Sequence, residues 1–481
     1  MFTSTRAKVK ISSYDALVNG ISKEGGLFVL DKIPQVDIER IKNMDYVHLC
    51  SYILSLLFID IHENDLYTIA QEVYPKYFDC ENALVLKHFD NHSIMELDHG
   101  PTFAFKDIAL TFFPKLLSLA KEKIGITKEI TILNATSGDT GGATLFGFKD
   151  IENINTLVLY PNKGTSQIQE QQMLSFQSSH AKVLAIESNF DECQKIVKNI
   201  FRKNPTRAIL SSSNSINIGR LFPQVVYYFY TYFQLVRDKK IKKNDKINFV
   251  VPTGNFGDIL AGYIALQMGC PIFKLICASN QNNILYDFFK TGRYDIRRDF
   301  FKTNSPSMDI LVSSNLERLL YYILDNDPKK VKALMDSLSE HGYYTIPQEA
   351  LDKLKMFGYG YASEEETLKT IKEVYTEKHY LLDPHGAVGY KVYKDISKND
   401  KHYSVVIETA SPYKFTQSIK NALNLKSVDE FSLMNEIKNV TGIPIPLALE
   451  NLSHQHLKPI VINKEEAYEY IYKLIGGNNR D

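Results

Sequence analysis

One short run of residues carries the clearest chemical signal in this sequence. Residues 99–107, His-Gly-Pro-Thr-Phe-Ala-Phe-Lys-Asp, place Lys106 after a Gly-Pro turn and two aromatic residues, and an apolar helical pattern follows it. We expect this lysine to be held partly out of water, which lowers the pKa of its amine and makes it a usable nucleophile. Such an amine can form a Schiff base with an aldehyde cofactor. The plainer interpretation, favoured for a lone lysine, is a helix N-terminus with the ammonium group in solvent.

Two glycine-rich runs change that balance. Residues 134–142 (Asn-Ala-Thr-Ser-Gly-Asp-Thr-Gly-Gly) and residues 252–258 (Pro-Thr-Gly-Asn-Phe-Gly-Asp) each follow an apolar, strand-like segment and precede a helix-like one. Glycine lets the backbone approach an anion closely, and a helix N-terminus directs unpaired N–H groups at it. One such loop can have purely steric causes, but two of them together with Lys106 form a constellation that favours a functional site.

These three segments resemble those of the pyridoxal-phosphate-dependent threonine synthase family, in the branch shared by enteric bacteria and fungi. The similarity extends from about Ser4 to Leu474. Further matching segments are residues 25–28, 160–164, 189–194, 214–217, 305–311, 362–367, 383–387 and 409–415. The resemblance implies the cofactor pyridoxal 5'-phosphate. It also implies a reaction in which O-phospho-L-homoserine and water give L-threonine and phosphate.

The resemblance assigns the cofactor to one set of residues. These are Lys106, Gly254, Asn255, Phe256, Gly257, Asp258 and Thr409. Lys106 is the implied catalytic residue, which would hold the cofactor and then, as a free base, move protons at the substrate's Cα and Cβ. The loop from Gly254 would cradle the cofactor phosphate with N–H groups, and the Thr409 hydroxyl would meet the pyridine nitrogen. Asp258 is either a cofactor ligand or an N-cap, because a carboxylate repels a phosphate unless it points away.

The substrate-binding candidates form two groups. For the α-carboxylate they are Thr136, Ser137, Asp139 and Thr140, and for the substrate phosphate they are Lys163, Ser215, Asn217 and Arg220. Arg220 is the strongest phosphate candidate because a guanidinium matches phosphate oxygens bidentately. Asp139 is a poor direct ligand for a carboxylate, so we expect it to hold its loop or to lie near the cofactor's ring oxygen. Asp107 is expected to cap its helix, and His385 is interpreted as a structural turn residue.

Strand and helix signals alternate between about residues 84 and 423, which argues for parallel α/β sheets. The strand candidates are residues 128–134, 156–160, 182–186, 208–211, 246–252, 273–278 and 403–408. Amphipathic helices are predicted over 166–176, 191–201 and 220–236. The resemblance sharpens this to the tryptophan-synthase-β-like fold (PLP fold type II), with two α/β lobes and the cofactor in the cleft. We expect an N-terminal helical domain over 1–85, the catalytic lobes over 86–425, and a C-terminal helical segment with a frayed tail over 426–481.

Composition excludes several other classes. The 481 residues are 44% hydrophobic and carry 56 basic and 56 acidic side chains, so a nucleic-acid or membrane-surface partner is not indicated. Five scattered cysteines without metal-ligand spacing predict reduced thiols, no metal site and a cytoplasmic location. The N-terminus has no signal-peptide pattern, and because the resemblance to the family begins at Ser4, we expect no removable leader. The expected partner is a small-molecule substrate, and the expected assembly is a monomer or a homodimer.

Three alternatives remain open from the sequence. A phospho-lyase of the same family would release 2-oxobutyrate, ammonia and phosphate instead of adding water. A nucleotide-binding dehydrogenase would also use glycine loops after strands, but the chain has no Gly-x-Gly-x-x-Gly at such a position. A non-catalytic relative would be expected to have lost Lys106 or Arg220, and both are present.

Overall fold

The first 77 residues form a small sheet and four helices. The structure is a computed structural model that describes residues 1–206 and 208–476. The elements of this region are β1 (Phe2–Ser4), α1 (Ser13–Asn19), β2 (Phe28–Leu30), α2 (Ile38–Ile41), α3 (Tyr46–Leu57) and α4 (Glu63–Tyr77). Side-chain oxygens of Ser12, Asp37 and Asp45 accept backbone N–H bonds at the starts of α1, α2 and α3. These polar residues begin the helices because they satisfy N–H groups that have no intrahelical partner.

From residue 85 the chain alternates strands and helices. In order, the elements are β3 (Val85–His88), β4 (His92–Glu96), α5 (Asp107–Leu110), α6 (Phe113–Lys123), β5 (Ile130–Ala135), α7 (Asp139–Phe148), β6 (Ile154–Pro161), α8 (Gln167–Ser175), β7 (Ala181–Glu187), α9 (Phe190–Lys203) and β8 (Ile209–Ser211). The strands β5, β6 and β7 are buried apolar runs, as expected for a parallel sheet that is covered on both faces.

The middle of the chain continues this pattern and adds a long, mostly irregular segment between residues 296 and 315. Its elements are α10 (Ile218–Leu221), α11 (Pro223–Arg237), β9 (Ile247–Pro252), α12 (Gly257–Gln267), β10 (Ile272–Ser279), α13 (Ile284–Thr291), β11 (Arg293–Asp295), α14 (Leu316–Ile323), α15 (Pro328–His341), β12 (Tyr343–Thr345), α16 (Gln348–Asp352) and β13 (Phe357–Tyr361). The single helix predicted over 220–236 is two helices. Pro223 lies at the first position of α11, where its missing N–H is tolerated and a new helix can begin.

The last part of the chain completes both sheets. Its elements are α17 (Glu364–Lys378), α18 (Pro384–Ile396), β14 (Ser404–Glu408), α19 (Thr416–Leu423), α20 (Glu430–Thr441), α21 (Leu447–Glu450), β15 (Ile460–Asn463) and α22 (Ala467–Gly476). The segment from 426 was expected to be helical, but β15 is a strand. Most of the predicted frayed tail, residues 477–481, lies outside the described residues.

Two parallel sheets confirm the expected α/β fold. The six-stranded sheet has the order β13-β10-β9-β14-β4-β3, and only β3 is antiparallel to its neighbour. The five-stranded sheet has the order β15-β7-β6-β5-β8 and is wholly parallel. All seven strands predicted from the sequence are present in these sheets. The glycine-rich loops follow β5 and β9, so both emerge at the carboxyl ends of parallel strands, where such folds place their ligands.

The N-terminal region shares its hydrophobic core with the lobe that follows it. Phe2 and Phe58 both pack on Phe222, with ring centroids 5.8 Å and 5.1 Å apart. One contiguous buried cluster extends from these side chains to Phe249 on the six-stranded sheet. The predicted boundary near residue 85 therefore coincides with the start of β3 but does not divide the core.

Candidate active site

Lys106 is held by a short backbone pairing between two chain segments. Ala104 and Ala410 form an isolated antiparallel bridge, and the N–H of Phe105 donates to the carbonyl of Thr409 at 2.8 Å. Lys106 is the N-cap residue of α5, with Asp107 as the first residue of that helix. The chain thus brings Lys106 next to Thr409, which follows β14. Two residues that the sequence assigned to one cofactor are placed side by side.

Asp107 fixes the turn that precedes Lys106. Its carboxylate accepts the backbone N–H of Thr102 at 2.8 Å and the Thr102 hydroxyl at 2.6 Å. Gly100 is needed here because a Cβ at that position would lie 2.4 Å from the Cβ of Asp107. The expectation that Asp107 caps its own helix is wrong. The side chain instead ties the Gly-Pro turn to α5.

The Lys106 amine is buried beside a carboxylate. Its residue is 8% exposed, and its Nζ lies 3.2 Å from Oδ2 of Asp139. Burial lowers the pKa of Lys106; Asp139 opposes this shift, while the charges of Arg220 and Lys414 add to it. This confirms the expected burial of the lysine. The solvent-exposed alternative is wrong because aromatic and helical neighbours surround the amine.

Asp139 accepts hydrogen bonds from several buried side chains. Its Oδ1 lies 2.7 Å from Nζ of Lys414 and 2.8 Å from Nε2 of Gln169. Although burial alone would raise it, the charges of Lys414 and Lys106 hold the pKa of Asp139 well below its usual range. Both oxygens are therefore occupied by partners within the chain. This supports the interpretation in which Asp139 holds its loop over direct contact with a substrate carboxylate.

The loop before α7 is shaped to leave N–H groups free. The Thr136 hydroxyl accepts the N–H groups of Gly138 and Gly141 at 3.0 Å and 2.9 Å, which curls the loop around that side chain. Among the described residues, no acceptor takes the N–H groups of Ser137, Asp139 or Thr140. These three groups lie at the N-terminus of α7, where the helix dipole favours an anion.

The loop before α12 has the same character. Its carbonyls are tied back to the chain, because Ser313 donates its hydroxyl to Gly254 O at 2.7 Å and Asn315 donates its N–H to Asn255 O at 3.1 Å. Within the described chain, the N–H groups of residues 254–257 have no acceptor. Phe256 adopts the left-handed conformation, with φ of 61°. Four N–H groups without acceptors next to a helix N-terminus make this loop a candidate phosphate cradle.

Asp258 lies in the first turn of α12. The N-cap of α12 is Phe256, so the interpretation that Asp258 caps the helix is wrong, whereas its role as a cofactor ligand stays a prediction. Its Oδ1 accepts hydrogen bonds from the hydroxyls of Tyr227 (2.5 Å) and Tyr228 (2.7 Å) on α11. Burial raises the pKa of Asp258 to about 6, against the effect of these two hydrogen bonds. Its other oxygen is buried and has no hydrogen-bond partner in the described residues.

Arg220 is a buried cation that has no carboxylate partner among the described residues. The residue is 4% exposed, and the one hydrogen bond that its side chain makes within the described chain runs from Nη1 to Ser213 O at 3.0 Å. Its Nε is buried and has no acceptor among the described residues. Burial lowers the pKa of Arg220 to about 10. A guanidinium in this state offers donors to an anion that enters the cleft.

The other phosphate candidates are arranged differently. The Asn217 amide donates to the carbonyls of Leu17 and Ser212 and accepts the N–H of Gly219, so it is occupied as the N-cap of α10 and positions Arg220. The Ser215 hydroxyl accepts from Asn315 at 2.9 Å, beside the candidate phosphate cradle. Lys163 is exposed in the turn after β6.

Thr409 lies where β14 ends. The residue is buried, and its N–H donates to Oδ2 of Asp383 at 3.3 Å. Its hydroxyl makes no hydrogen bond with any other described residue, which leaves it available to a ligand beside Lys106.

Two residues of this site, Lys414 and Gln169, had no assigned role from the sequence. Lys414 and Gln169 reach Asp139 directly, as described above. His385 is held by Asp383 (Nδ1 to Oδ1, 2.5 Å) and accepts the N–H of Ser307 on Nε2 at 3.2 Å, which agrees with a structural role. Lys414 belongs to the run 409–415 that carries the family resemblance, which was the available signal.

The donor set fits an aldehyde cofactor that carries a phosphate and a ring nitrogen. A buried amine of lowered pKa, a loop of free N–H groups and an unengaged hydroxyl lie at the ends of neighbouring strands. A side chain is excluded at Gly254 of the candidate phosphate cradle, because a Cβ there would lie 2.9 Å from the carbonyl oxygen of Ser307. A second anion would find Arg220 and the N-terminus of α7.

Family models match three parts of the chain. The model described as pyridoxal-phosphate dependent enzyme matches residues 94–408. The threonine synthase N-terminus matches residues 1–74, and the threonine synthase C-terminal model matches residues 386–450.

Individual proteins show the same similarity. Threonine synthase of Saccharomyces cerevisiae is 36% identical over 463 residues, which cover 88% of this chain and 89% of the yeast protein. Threonine synthase-like 1 of Homo sapiens is 38% identical over 441 residues, which cover 87% of this chain and 59% of the human protein. The crystal structure of PLP-bound threonine synthase from Brucella melitensis matches with a TM-score of 0.89 at 34% identity, covering 100% of this chain and 99% of that one.

Proposed function

This chain belongs to the pyridoxal-phosphate-dependent threonine synthase family, and we propose that it converts O-phospho-L-homoserine and water into L-threonine and phosphate. Relatives named threonine synthase match over most of their length and most of this chain. The observation that carries the proposal is the pair of buried cations, Lys106 and Arg220. The first is poised as an amine base, and the second is an unpaired guanidinium suited to a phosphate ester.

The chain's own groups would hold pyridoxal phosphate at three points. Lys106 would bind its aldehyde carbon, the N–H groups of residues 254–257 would bind its phosphate, and the Thr409 hydroxyl would meet its ring nitrogen. We assign Asp258 to the contact between α12 and α11, because its carboxylate binds two tyrosine hydroxyls there. When bound, the cofactor withdraws electrons from the substrate carbon that bears the amine.

Lys106 would then move the protons of the reaction. Its lowered pKa leaves a larger fraction of the amine unprotonated near neutral pH than an exposed lysine has. The free amine would take the proton from the substrate's Cα and, once it has passed that proton on, one proton from Cβ, and phosphate would leave from Cγ with the bonding electrons. One of the two protons would be returned to Cγ as the double bond shifts. The hydroxide of a water molecule would add at Cβ, its proton would go to the released phosphate, and Lys106 would return the second proton to Cα. Asp139 keeps the amine in place throughout these transfers.

Two further contacts would orient the substrate. The free N–H groups of Ser137, Asp139 and Thr140, with the Ser137 and Thr140 hydroxyls and the Thr136 hydroxyl that shapes the loop, would bind the α-carboxylate. Arg220 would bind the substrate phosphate, and Lys163 and Ser215 are the secondary candidates. A substrate with anions at both ends is then fixed with its Cα and Cβ beside Lys106.

The cytoplasm is the compartment we propose, with the enzyme as a monomer or homodimer acting on a small molecule. All five cysteines are free thiols, and four of them are buried, which supports a reducing environment. In the part of the chain that the structure describes, no helix is both long and apolar enough to cross a membrane.

Product analysis tests the proposed function. The purified enzyme is incubated with pyridoxal phosphate and O-phospho-L-homoserine, and threonine, 2-oxobutyrate and phosphate are measured together. Threonine and phosphate in equal amounts are expected, and Lys106→Ala should form neither while keeping its circular dichroism. Equal amounts of 2-oxobutyrate and phosphate would instead identify a phospho-lyase. Borohydride should attach the cofactor to the peptide that contains Lys106, and a label on another lysine would overturn the assignment.

A further inference from the structure

We propose that Lys414 is a positioning residue for the Lys106 amine: it holds one carboxylate oxygen of Asp139 so that the other oxygen faces Lys106. Nζ of Lys414 lies 2.7 Å from Oδ1 of Asp139, whereas Nζ of Lys106 lies 3.2 Å from Oδ2. The two lysines thus bind opposite oxygens of one carboxylate. The inference rests on the proposed role of Lys106 as the amine of the reaction.

Lys414 is more deeply buried than Lys106. Its side chain has no exposed area, and its second partner is the carbonyl of Thr102 at 2.7 Å. Burying an ammonium group costs several kcal/mol unless it is paired and hydrogen-bonded. Two close acceptors offset that cost here. Both acceptors lie within the chain, so the ammonium group of Lys414 is engaged by Asp139 and Thr102.

The backbone places Lys414 with little freedom. Lys414 lies in a short 3-10 helix, Pro412–Phe415, whose start is capped by the Ser411 hydroxyl. The N–H of Ser411 donates to the carbonyl of Phe103 at 3.0 Å, next to the bridge that carries Lys106. The same short stretch of chain therefore fixes both lysines relative to each other. Gln169, which donates to Oδ1 of Asp139 from α8, completes the set.

The arrangement has an electrostatic consequence for Lys106. The charged and titratable groups that face Lys106 and Asp139 are Lys414, Arg220 on α10, Asp258 on α12 and His385 on α18. With Lys414 charged, the single negative charge of Asp139 is shared between two ammonium groups. If the charge of Lys414 is removed, the carboxylate of Asp139 interacts with Lys106 as its only ammonium partner. The repulsion between the two ammonium groups is lost as well. The pKa of Lys106 must then rise, and its free-base fraction at neutral pH must fall.

Lys414→Met in the holoenzyme tests this inference. The measurements are kcat, KM and the pH dependence of kcat/KM, together with the pH titration of the visible absorbance of the Lys106-bound cofactor. We expect kcat at pH 7 to fall at least about tenfold and the acidic limb to move up by about 1 pH unit or more. KM should change less than about threefold, because Lys414 does not touch the substrate. Lys414→Arg keeps the positive charge, so its acidic limb should lie closer to that of the parent than the limb of Lys414→Met does.

Two further variants make the result decisive. Lys414→Gln can still donate to Asp139 but has no charge, so it should give the same pH shift and decides the matter if Lys414→Met does not fold. Lys391→Met, at a lysine paired with Glu366 and Asp395 on the protein surface, should leave the pH profile of the parent unchanged. The inference is overturned if folded Lys414 variants keep the parent's acidic limb, or if they change KM alone. Failure of the proposed function would appear separately, as a parent enzyme that makes no threonine.

Discussion

Two buried cations in the cleft differ in their partners. Lys106 faces the carboxylate of Asp139, whereas Arg220 has a carbonyl and no carboxylate. A buried charge without a counter-ion is costly, which supports the proposal that an anion binds beside Arg220 during function. This difference between the two residues corresponds to the two proposed roles: Lys106 as the amine that moves protons, and Arg220 as the fixed cation that binds the phosphate of the substrate.

Substitution of Arg220 is the sharpest test of that second role. Arg220→Ala should lower kcat/KM for O-phospho-L-homoserine by roughly ten- to several-hundred-fold, because charge-assisted hydrogen bonds contribute about 1.5–3 kcal/mol each. The variant should still bind the cofactor and show its visible absorbance. Arg220→Lys should recover only part of the loss, since an ammonium group lacks the planar fork.

Arg202→Ala, at an exposed arginine on α9, is the matched control and should retain the parent's kcat/KM. If Arg220→Ala stays within about twofold of the parent, Lys163 becomes the leading phosphate ligand.

Which of these residues the sequence could predict depends on how local their environment is. The burial of Lys106 follows from aromatic and apolar neighbours within a few positions, and the structure confirms it. Lys414 and Gln169 could not be assigned, because their shared partner Asp139 is distant in the chain. Asn217 was misjudged for a related reason: its amide is occupied by Leu17, which only the folded chain brings near.

At the scale of elements, two helix N-termini are the proposed sites for two different anions. In the loops before α7 and α12, carbonyl or hydroxyl oxygens are engaged within the chain, and several N–H groups have no acceptor among the described residues. Glycine is required where this geometry is most extreme. Gly138 has φ of 148°, and a Cβ there would lie 2.5 Å from side-chain atoms of Gln169.

Gly138→Ala should therefore damage substrate binding as well as stability. The methyl group must displace Gln169 from Asp139 and distort the free N–H groups before α7. We expect kcat/KM to fall at least about tenfold, mainly through KM, and unfolding in urea to lose about 1–3 kcal/mol from backbone strain. Gly442→Ala is the matched control, because Gly442 also has a positive φ but nothing within 4 Å of an added Cβ. It should cost about 1–2 kcal/mol and leave kcat/KM unchanged. Equal effects of both substitutions on kcat/KM would contradict the assignment.

The elements themselves were predictable where their signal was long and periodic. Each of the seven strands expected from the sequence is present. Apart from β4, which is buried inside the six-stranded sheet, the strands that the sequence did not indicate have three residues or lie at sheet edges, such as β15, whose four residues are mostly exposed. An isolated four-residue run has no periodicity that separates a strand from a loop. Only its pairing with β7 makes it a strand.

At the scale of the whole molecule, the ion pairs of Asp139 join the two sheets. Asp139 follows β5 of the five-stranded sheet, whereas Lys106 and Lys414 follow β4 and β14 of the six-stranded sheet. The alternation of strands and helices predicts parallel α/β architecture, but it cannot predict which loops from different sheets meet. The same limit applies to the N-terminal region, whose core is continuous with the lobe that follows it.

The stability of the whole molecule should also depend on pH through a buried carboxyl group, that of Glu408, which lies beside Asp383 at one end of the six-stranded sheet. Glu408, at the end of β14, is 2% exposed, and its Oε1 accepts the N–H of Asp383. Burial raises the pKa of Glu408 well above its usual range, and the negative charges of Asp383 and Asp98 raise it further. Tyr380 also interacts with Glu408, and its hydroxyl donates to Glu96. The folded protein therefore keeps a proton on Glu408 at pH values where the unfolded chain has lost it.

The sign of the effect follows from this difference in bound protons. The stabilisation by protonated Glu408 is fully present below the unfolded pKa and is lost as pH rises toward the raised folded pKa, by up to about 1.4 kcal/mol per pH unit. Glu408→Gln imitates the protonated form at every pH and should remove that slope. The free energy of unfolding in urea should therefore increase for the variant relative to the parent, steadily from about pH 5 to pH 8. Glu122→Gln, at an exposed position on α6, should follow the parent throughout. Parallel curves for Glu408→Gln and the parent would show that Glu408 is ionised in the folded protein, and that Asp383 and Asp98 do not act on it as their proximity requires.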